Sequence, residues 1–370
     1  MTPRERILSV YRREPTDRRA VAIYSRYLRV GEVERAARNL GLGVLDFFPP
    51  VSLLAPPWHL AQGYVSEVRE ATLTVRVSWE EGREVETRSY DTPLGSVTQR
   101  AIRDPAGGGE WIQKYYLESP DDYRVMLHVV RHTVFRTLEQ SILSRMGHLG
   151  EDGVLLGRLD RSPYQKLLVE LAGPANLFGA LESDPEPVQE LLDAIAVREN
   201  EQFERALQSA AEVIWQPDNV TADLTPPPAF ARHCAPVYRS RAGECLRAGK
   251  IYAVHLDGRL RPLAEQIAAC GIPVVESLSL PEIGGDLPLR AAKELWPDRA
   301  VCPNFPASLC AMPRGRIEEF LRRVYEEWGE EPGLMLQVSE DIPEDAYRTL
   351  LPLLCGASGH TQTGTGGAPR

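Results

Sequence analysis

Residues 251–270 read IYAVHLDGRLRPLAEQIAAC, and they decide the fold because a strand, a polar tip and a helix follow one another directly. The apolar run 251–254 predicts a buried strand, and the helical spacing of apolar residues over 259–270 predicts a helix. A strand that leads straight into a helix is the repeating unit of proteins in which crossover helices join parallel strands.

The tip of this unit carries two reactive side chains. His255 and Asp257 lie two residues apart, and in extended backbone such residues point to the same face, so both can reach one ligand. Functional groups of α/β proteins lie at such strand ends. The alternative is a histidine that only hydrogen-bonds to backbone in the turn made by Gly258.

Short apolar runs alternate with helical segments along the chain, which predicts parallel strands with crossover helices. We expect strands at 19–24, 153–156, 167–171, 213–215, 251–254, 273–276, 300–302 and 334–338. A count of eight favours a closed (β/α)8 TIM barrel over an open sheet.

Three segments do not belong to this alternation of strands and helices. Residues 2–13 predict a helical extension before the barrel, and residues 64–91 alternate apolar and polar side chains, which predicts an inserted β-meander that turns at Glu81-Gly82. We expect one domain over residues 1–355. The tail 356–370 is rich in Gly and Thr and should be disordered.

Composition excludes several classes of protein. The 370 residues are 43% hydrophobic and 25% charged, as in soluble globular proteins, and the net charge of -10 disfavours binding to nucleic acid or anionic lipid. Six scattered cysteines without a CxxC pair, and the absence of a signal or membrane-spanning segment, predict a cytoplasmic protein. Neither a GxGxxG after a strand nor a GxxxxGK[ST] motif indicates a nucleotide site.

In a closed barrel, the polar residues at the strand ends share one pocket. His255, Asp257 and Glu340 form the sharpest set, because one imidazole and two carboxylates supply three ligands for a divalent metal and leave an open position. The alternative is that the carboxylates cap helices and His255 bonds to one of them.

Other strand ends supply further candidates. Asp223 and Glu276 are candidate catalytic acids, and Asn219 and Asn304 are candidate substrate-binding residues, although Asp and Asn are also ordinary loop residues.

His128 and His132 lie four residues apart on a predicted helix and form a possible ligand pair. No acid between them completes an HExxH motif, so a half-buried helical face is the favoured interpretation.

The chain resembles the uroporphyrinogen decarboxylase superfamily over about residues 2–355. The resemblance is carried by TPRERILSVYRREPTDRRAV, DTPLGSVTQR, YYLESPDDYRVML, PDNVTADLTPPPAFARHCAPVYR, GKIYAVHLDGRLRPLAEQIAACGI and LQVSEDIP. Within the superfamily it looks closer to the branch of corrinoid-dependent methyltransferases. The resemblance implies a (β/α)8 barrel.

The resemblance also bears on the site. Methyltransferase members bind zinc with a His-x-Cys and a second Cys, and the corresponding positions here are His255, Asp257 and Glu340. Carboxylates in place of thiolates keep the ligand charge and make the metal a harder Lewis acid. The arginine-bearing motif of decarboxylases is missing, since the region reads AIYSRYLRV. Arg26 and Arg29 would substitute for it in part, and Arg26 is the candidate substrate-binding residue.

The function implied by the resemblance is transfer of a methyl group between a small methylated substrate and a corrinoid protein. A decarboxylase or lyase that acts on a carboxylated substrate is one alternative, with Asp223 or Glu276 as the acid. A noncatalytic binder of a corrinoid or tetrapyrrole is another. Whether His255, Asp257 and Glu340 lie within about 4 to 5 Å of one another discriminates between them.

Overall fold

The computed structural model describes residues 1–56, 64–103 and 110–357. The strands in these residues are β1 (Ala20–Tyr24), β2 (Gly43–Phe48), β3 (Glu67–Val68), β4 (Thr72–Glu80), β5 (Arg83–Thr92), β6 (Gly95–Arg103), β7 (Glu110–Lys114), β8 (Thr133–Val134), β9 (Gly153–Arg158), β10 (Val213–Gln216), β11 (Ile251–His255), β12 (Val274–Leu278), β13 (Ala300–Pro303) and β14 (Met335–Val338).

Helices separate most of the strands of the larger sheet. They are α1 (Pro3–Tyr11), α2 (Glu32–Asn39), α3 (Pro120–His132), α4 (Glu139–Leu149), α5 (Pro163–Gln165), α6 (Gly173–Ser183), α7 (Pro185–Leu207), α8 (Pro227–Ala229), α9 (Ala235–Arg247), α10 (Ala264–Ala269), α11 (Leu289–Leu295), α12 (Arg314–Trp328) and α13 (Glu344–Ala357). Two further segments, Lys166–Leu171 and Phe230–Cys234, are π-helical.

Eight parallel strands form the barrel in the order β13-β12-β11-β10-β9-β2-β1-β14. The two ends of this series meet through parallel bridges, Val301 to Leu334 and Asn304 to Gln337. The predicted (β/α)8 barrel is therefore confirmed, and the carboxyl ends of all eight strands open at one end, here called the mouth.

One predicted strand is wrong, and one strand was missed. Residues 167–171 lie in the π-helical segment after β9, and the strand that completes the barrel is β2. A short buried apolar run has the same pattern in a strand and in a buried helical turn, so periodicity does not separate the two.

Alternate strand residues face the barrel interior, where small side chains such as Ala20, Ala22 and Ala253 leave room for larger ones. The predicted N-terminal helix is α1, which begins with a capping box between Thr2 and Glu5. Its apolar side chains pack into the same interior cluster and close the barrel at the end opposite the mouth; they are Ile7, Leu8, Val10 and Tyr11.

The predicted meander is present and longer than residues 64–91. Strands β4 to β7 form an antiparallel sheet in sequence order, so the insertion continues to Lys114. Glu81 and Gly82 both have positive φ, 50° and 76°, as expected for a two-residue hairpin turn.

The last helix, α13, ends at Ala357, so the first two residues of the predicted 356–370 tail are helical. The rest of that tail lies outside the described residues. Among the residues described, no helix has the length and apolar character needed to cross a membrane.

Candidate functional site

Two titratable side chains meet at the mouth of the barrel. His255 is the last residue of β11, and Glu276 is its register partner on β12, so both point into the barrel. His255 Nδ1 lies 2.6 Å from Glu276 Oε2. The strand-to-strand register therefore assembles the pair.

Glu276 is fully buried and accepts four hydrogen bonds. Trp215 Nε1 donates to Oε2 over 2.9 Å alongside His255, while the Tyr24 hydroxyl and Gln337 Nε2 donate to Oε1. Burial of a carboxylate is unfavourable unless its oxygens are hydrogen-bonded. Donors from β1, β10, β11 and β14 supply these bonds, so only the closed barrel completes this environment.

His255 lies between two carboxylates. Its Nε2 is 3.3 Å from Asp257 Oδ2, and its Nδ1 faces Glu276. Burial lowers the pKa of His255, but the two carboxylates outweigh burial and raise it to about 10. The imidazole is therefore protonated on both nitrogens at neutral pH.

Asp257 lies on the solvent side of this pair, with about a third of its side chain exposed. Burial raises the pKa of Asp257, but the His255 imidazolium, and after it the Arg161 guanidinium, hold the pKa below its ordinary value. Asp257 is accordingly an anion that covers the outer nitrogen of His255.

Asn219 connects these charges. Its Nδ2 donates to Asp257 Oδ2 over 3.0 Å, and its Oδ1 accepts from Arg161 Nη1 over 3.1 Å. The backbone N–H of Asn219 donates to the His255 carbonyl over 3.1 Å, and the residue has a left-handed φ of 49°, which Asn tolerates.

Gly258 lets its own loop contact the loop that carries Val220 and Thr221. A Cβ at this position would lie 2.4 Å from the Val220 carbonyl oxygen and 2.4 Å from Thr221 Cβ, so only glycine lets the two loops touch. Gly258 is not among the residues with positive φ, so the turn expected from its sequence position does not need its conformational freedom.

Backbone strain occurs directly after Glu276. Ser277 has a φ of 59°, and the pairing of β12 with β13 shifts register between Val275 and Leu278. The Ser277 hydroxyl lies 2.6 Å from that of Ser339, which secures the distorted strand. Positive φ in a residue other than glycine costs roughly 1–3 kcal/mol and is concentrated at functional sites.

The structure does not assemble the predicted metal ligands. The ligand atoms of His255, Asp257 and Glu340, all three described residues, do not form a group within 4.8 Å of one another. Glu340 Oε2 instead accepts the N–H of Ala307 over 3.3 Å. The physical reason is that β12 and β13 lie between β11 and β14.

The contacts of His255 also argue against a metal ion at this position. Both ring nitrogens are engaged by carboxylates, whereas a metal ligand needs a free lone pair on a neutral imidazole. These residues do not fit a zinc ion in this arrangement. His255 instead contacts the carboxylates of Glu276 and Asp257.

Asp223 and Asn304, two other predicted residues, have different partners. The exposed carboxylate of Asp223 pairs with Arg259 over 3.2 Å. Asn304 is buried, and its Oδ1 accepts the N–H of Ser339 over 3.0 Å, which helps to close the barrel.

Arg26 is exposed, and its guanidinium carbon lies 5.0 Å from the centre of the Tyr27 ring. Of the eight predicted site residues, Glu276 and Asn219 are the two that join His255 and Asp257.

Sequence reasoning missed an aromatic wall beside the imidazolium. The ring centroids of Tyr24 and Phe47, and those of Phe47 and Trp215, are each 5.5 Å apart, and Trp215 meets His255 edge-on at 5.7 Å. In the sequence these residues look like ordinary core positions of apolar strands, so no signal marks them.

A buried cation was also missed. Arg158 ends β9, is the register partner of Trp215, and is only 3% exposed. Its Nη1 has no hydrogen-bond partner among the residues that the structure describes. Burial lowers its pKa, although the carboxylates of Glu170 and Asp160 oppose this. A charged residue at the end of an otherwise apolar strand, GVLLGR, is the signal that could have found it.

Neighbouring charges are already balanced without Arg158. Lys166 Nζ lies 2.8 Å from Asp160 and 2.6 Å from Glu170, and Arg161 Nε lies 3.0 Å from Glu170. Two anions thus face two cations. Arg158 lies beside this balanced set as a further buried cation, and a bound anion would give its guanidinium a direct partner.

Comparisons with known proteins support the fold. Among 27 matching chains of solved structures is a methyltransferase from Methanosarcina mazei, with a TM-score of 0.54 and 13% identity, over 97% of this chain and 98% of that chain. No protein-family model and no curated protein matches the sequence. At this identity the structural likeness establishes the shared barrel architecture.

Proposed function

We propose that this protein is a methyltransferase in which His255 acts as the general acid. The observation that carries the proposal is the buried His255–Glu276 pair at the mouth, with Nε2 on the side of the partly exposed Asp257. The structural likeness to a methyltransferase from Methanosarcina mazei favours the same class of reaction.

The proton donor matches one kind of leaving group. The imidazolium of His255 can protonate a leaving group that departs as an anion, and a phenolate, with a pKa of about 10, is basic enough to take the proton. An alkoxide is far more basic. A protonated amine leaves as a neutral molecule and needs no proton from the enzyme. The substrate class favoured by His255 is therefore an aryl methyl ether.

In the proposed reaction the phenolic oxygen takes the place of Asp257 beside His255 Nε2. The methyl–oxygen bond then breaks, and the phenolic oxygen keeps the electron pair and takes the Nε2 proton. An electron-pair donor forms the new bond to the methyl carbon, and the resemblance to corrinoid-dependent methyltransferases implies the reduced cobalt of a partner protein as this acceptor. Glu276 holds Nδ1–H and stabilises the imidazolium before transfer. Positioned acids of this kind contribute about 10²–10⁴-fold to rate.

Two further features describe the substrate. The wall of Tyr24, Phe47 and Trp215 suits an aromatic ring, which packs edge-on or offset against such side chains. The buried guanidinium of Arg158 suits a carboxylate, since its Nη1 lacks a partner among the described residues and arginine binds carboxylates with two parallel hydrogen bonds. A methoxylated aromatic acid combines all three properties.

An anaerobic assay tests the proposal. The protein is mixed with 4-methoxybenzoate and reduced cobalamin, and methylation of cobalt is followed by absorbance and the phenol product by chromatography. We expect transfer by the wild type and by His148→Gln, an exposed histidine on α4, and at least a 100-fold lower rate for His255→Gln. No transfer from any aryl methyl ether, or equal rates in both variants, would refute the proposal.

A lyase acting on a carboxylated substrate is the second candidate. Arg158 would bind the carboxylate and His255 would protonate the carbanion left by loss of carbon dioxide. The same incubation separates the two reactions, because decarboxylation releases carbon dioxide and retains the methoxy group. The third alternative, a noncatalytic binder of a corrinoid or tetrapyrrole, predicts neither product.

A further inference from the structure

We propose that Glu70, His128 and His132 form a binding site for a divalent metal ion of the zinc class. One donor atom from each of these residues lies within 4.8 Å of the other two. The site shares no residue with the His255 cluster and lies where α3 meets the turn between β3 and β4. The proposal does not depend on the methyltransferase reaction.

The helix aligns the two histidines. His128 and His132 are one turn apart on α3 and share a face, with ring centroids 3.9 Å apart and nearly parallel planes. Both rings are half-buried, so their positions are restricted, but metal and water still reach them. A pair of imidazoles at this spacing is the chelating unit of many helical metal sites.

Backbone pairing brings the third ligand to the helix. Val68 of β3 pairs with Thr133 of β8, and the N–H of Arg69 donates to the His132 carbonyl over 2.9 Å. Glu70 follows with a left-handed φ of 55°, and its carboxylate lies 3.8 Å from His132 Nε2.

Hydrogen bonds orient the rings. His132 Nδ1 lies 2.8 Å from the His128 carbonyl, so Nδ1 donates to it and Nε2 keeps its lone pair on the side of Glu70. The Glu70 carbonyl lies 3.2 Å from His128 Nε2, which holds that ring against the same turn. A backbone acceptor on the second nitrogen is the usual partner of a metal-binding histidine.

The donor set suits zinc. Two imidazoles and one carboxylate bind zinc at about 2.0–2.2 Å and leave a fourth position for water. The nearby Arg131 is paired with Glu190 over 2.9 Å, so its charge is balanced. The bound ion would tie the β3–β4 turn to the end of α3. The sequence HVVRH hides this site because its acid comes from 58 residues earlier in the chain.

Calorimetric titration of the tag-free, metal-stripped protein with zinc sulfate tests the proposal. We expect one site, and at least tenfold weaker binding in His128→Ala, His132→Ala and Glu70→Gln, since loss even of a supporting hydrogen bond around a metal costs about 10–100-fold in affinity. The control His148→Ala removes an exposed histidine on a different helix and should bind like the wild type. Circular dichroism in chelator confirms that each variant folds.

A second readout uses stability. Zinc should raise the melting temperature of the wild type and of His148→Ala, and should raise it much less in His132→Ala, because a ligand that binds only the folded state stabilises it. Wild-type affinity in His132→Ala, or loss of binding in His255→Gln alone, would overturn the proposal. The second result would place zinc at the mouth of the barrel instead.

Discussion

His255 and Glu276 are register partners on adjacent barrel strands, and their side chains meet across 2.6 Å between Nδ1 and Oε2. The protonated state of His255 depends on this contact, because burial alone would favour the neutral ring. The other three donors to Glu276 hold the carboxylate in place, so changes to the pair should affect proton transfer more than folding.

Glu276→Gln tests this dependence. Glutamine keeps the shape of the side chain and removes the charge, so the pKa of His255 should fall from about 10 toward or below its ordinary value of 6.5. Nuclear magnetic resonance of the labelled imidazole measures this pKa. The rate of transfer to cobalamin should fall about 100-fold or more. An unchanged pKa would show that Glu276 does not hold the proton on His255.

Stability should depend on pH through the same residue. The folded-state pKa of His255 is raised above 6.5, so its contribution to stability is complete below about pH 6.5 and is lost as pH rises through about 10. Chemical unfolding between pH 7 and 10 should show a steeper loss of unfolding free energy in wild type than in His255→Gln. His148→Gln should follow the wild type, and equal slopes in all three proteins would contradict the assignment.

The strand ends that carry this pair were predictable, because apolar runs that stop at His255 and near Glu276 have a clear pattern. The sequence does not indicate that Glu276 is the partner of His255. The sequence indicates Glu340 because it ends another strand, but spacing along the chain does not show that two strands separate β11 from β14. Trp215 and Tyr24 were unpredictable for a different reason, since an aromatic residue in a buried strand usually only packs.

Arg158→Met should separate stability from binding. The change removes a buried guanidinium whose Nη1 has no partner in the described part of the chain, and it keeps an unbranched side chain. The free protein should therefore become more stable, by about 1–3 kcal/mol. Affinity for 4-methoxybenzoate should fall while affinity for the uncharged 4-methylanisole stays the same. Thermal unfolding and calorimetry measure the two effects.

Arg158→Lys is the matched control, because it keeps the charge and loses the planar pair of donors. It should recover part of the affinity for the carboxylate. A destabilised Arg158→Met protein that still binds 4-methoxybenzoate like the wild type would mean that the guanidinium has a structural role.

Gly258→Ala should disturb the mouth of the barrel without changing a reactive group. The new methyl group meets the Val220 carbonyl oxygen and Thr221 at 2.4 Å, so the loop that carries Asn219 must move. Its hydrogen bonds to Asp257 and to the His255 carbonyl should weaken. We expect a loss of about 1–3 kcal/mol in unfolding free energy, as for other overpacked sites, and a lower rate of methyl transfer.

Gly315→Ala on α12 adds the same methyl group with no atom within 4 Å and should be neutral or stabilising by up to about 1 kcal/mol. Equal effects of the two substitutions on stability and rate would show that the contact between the loops does not position the site.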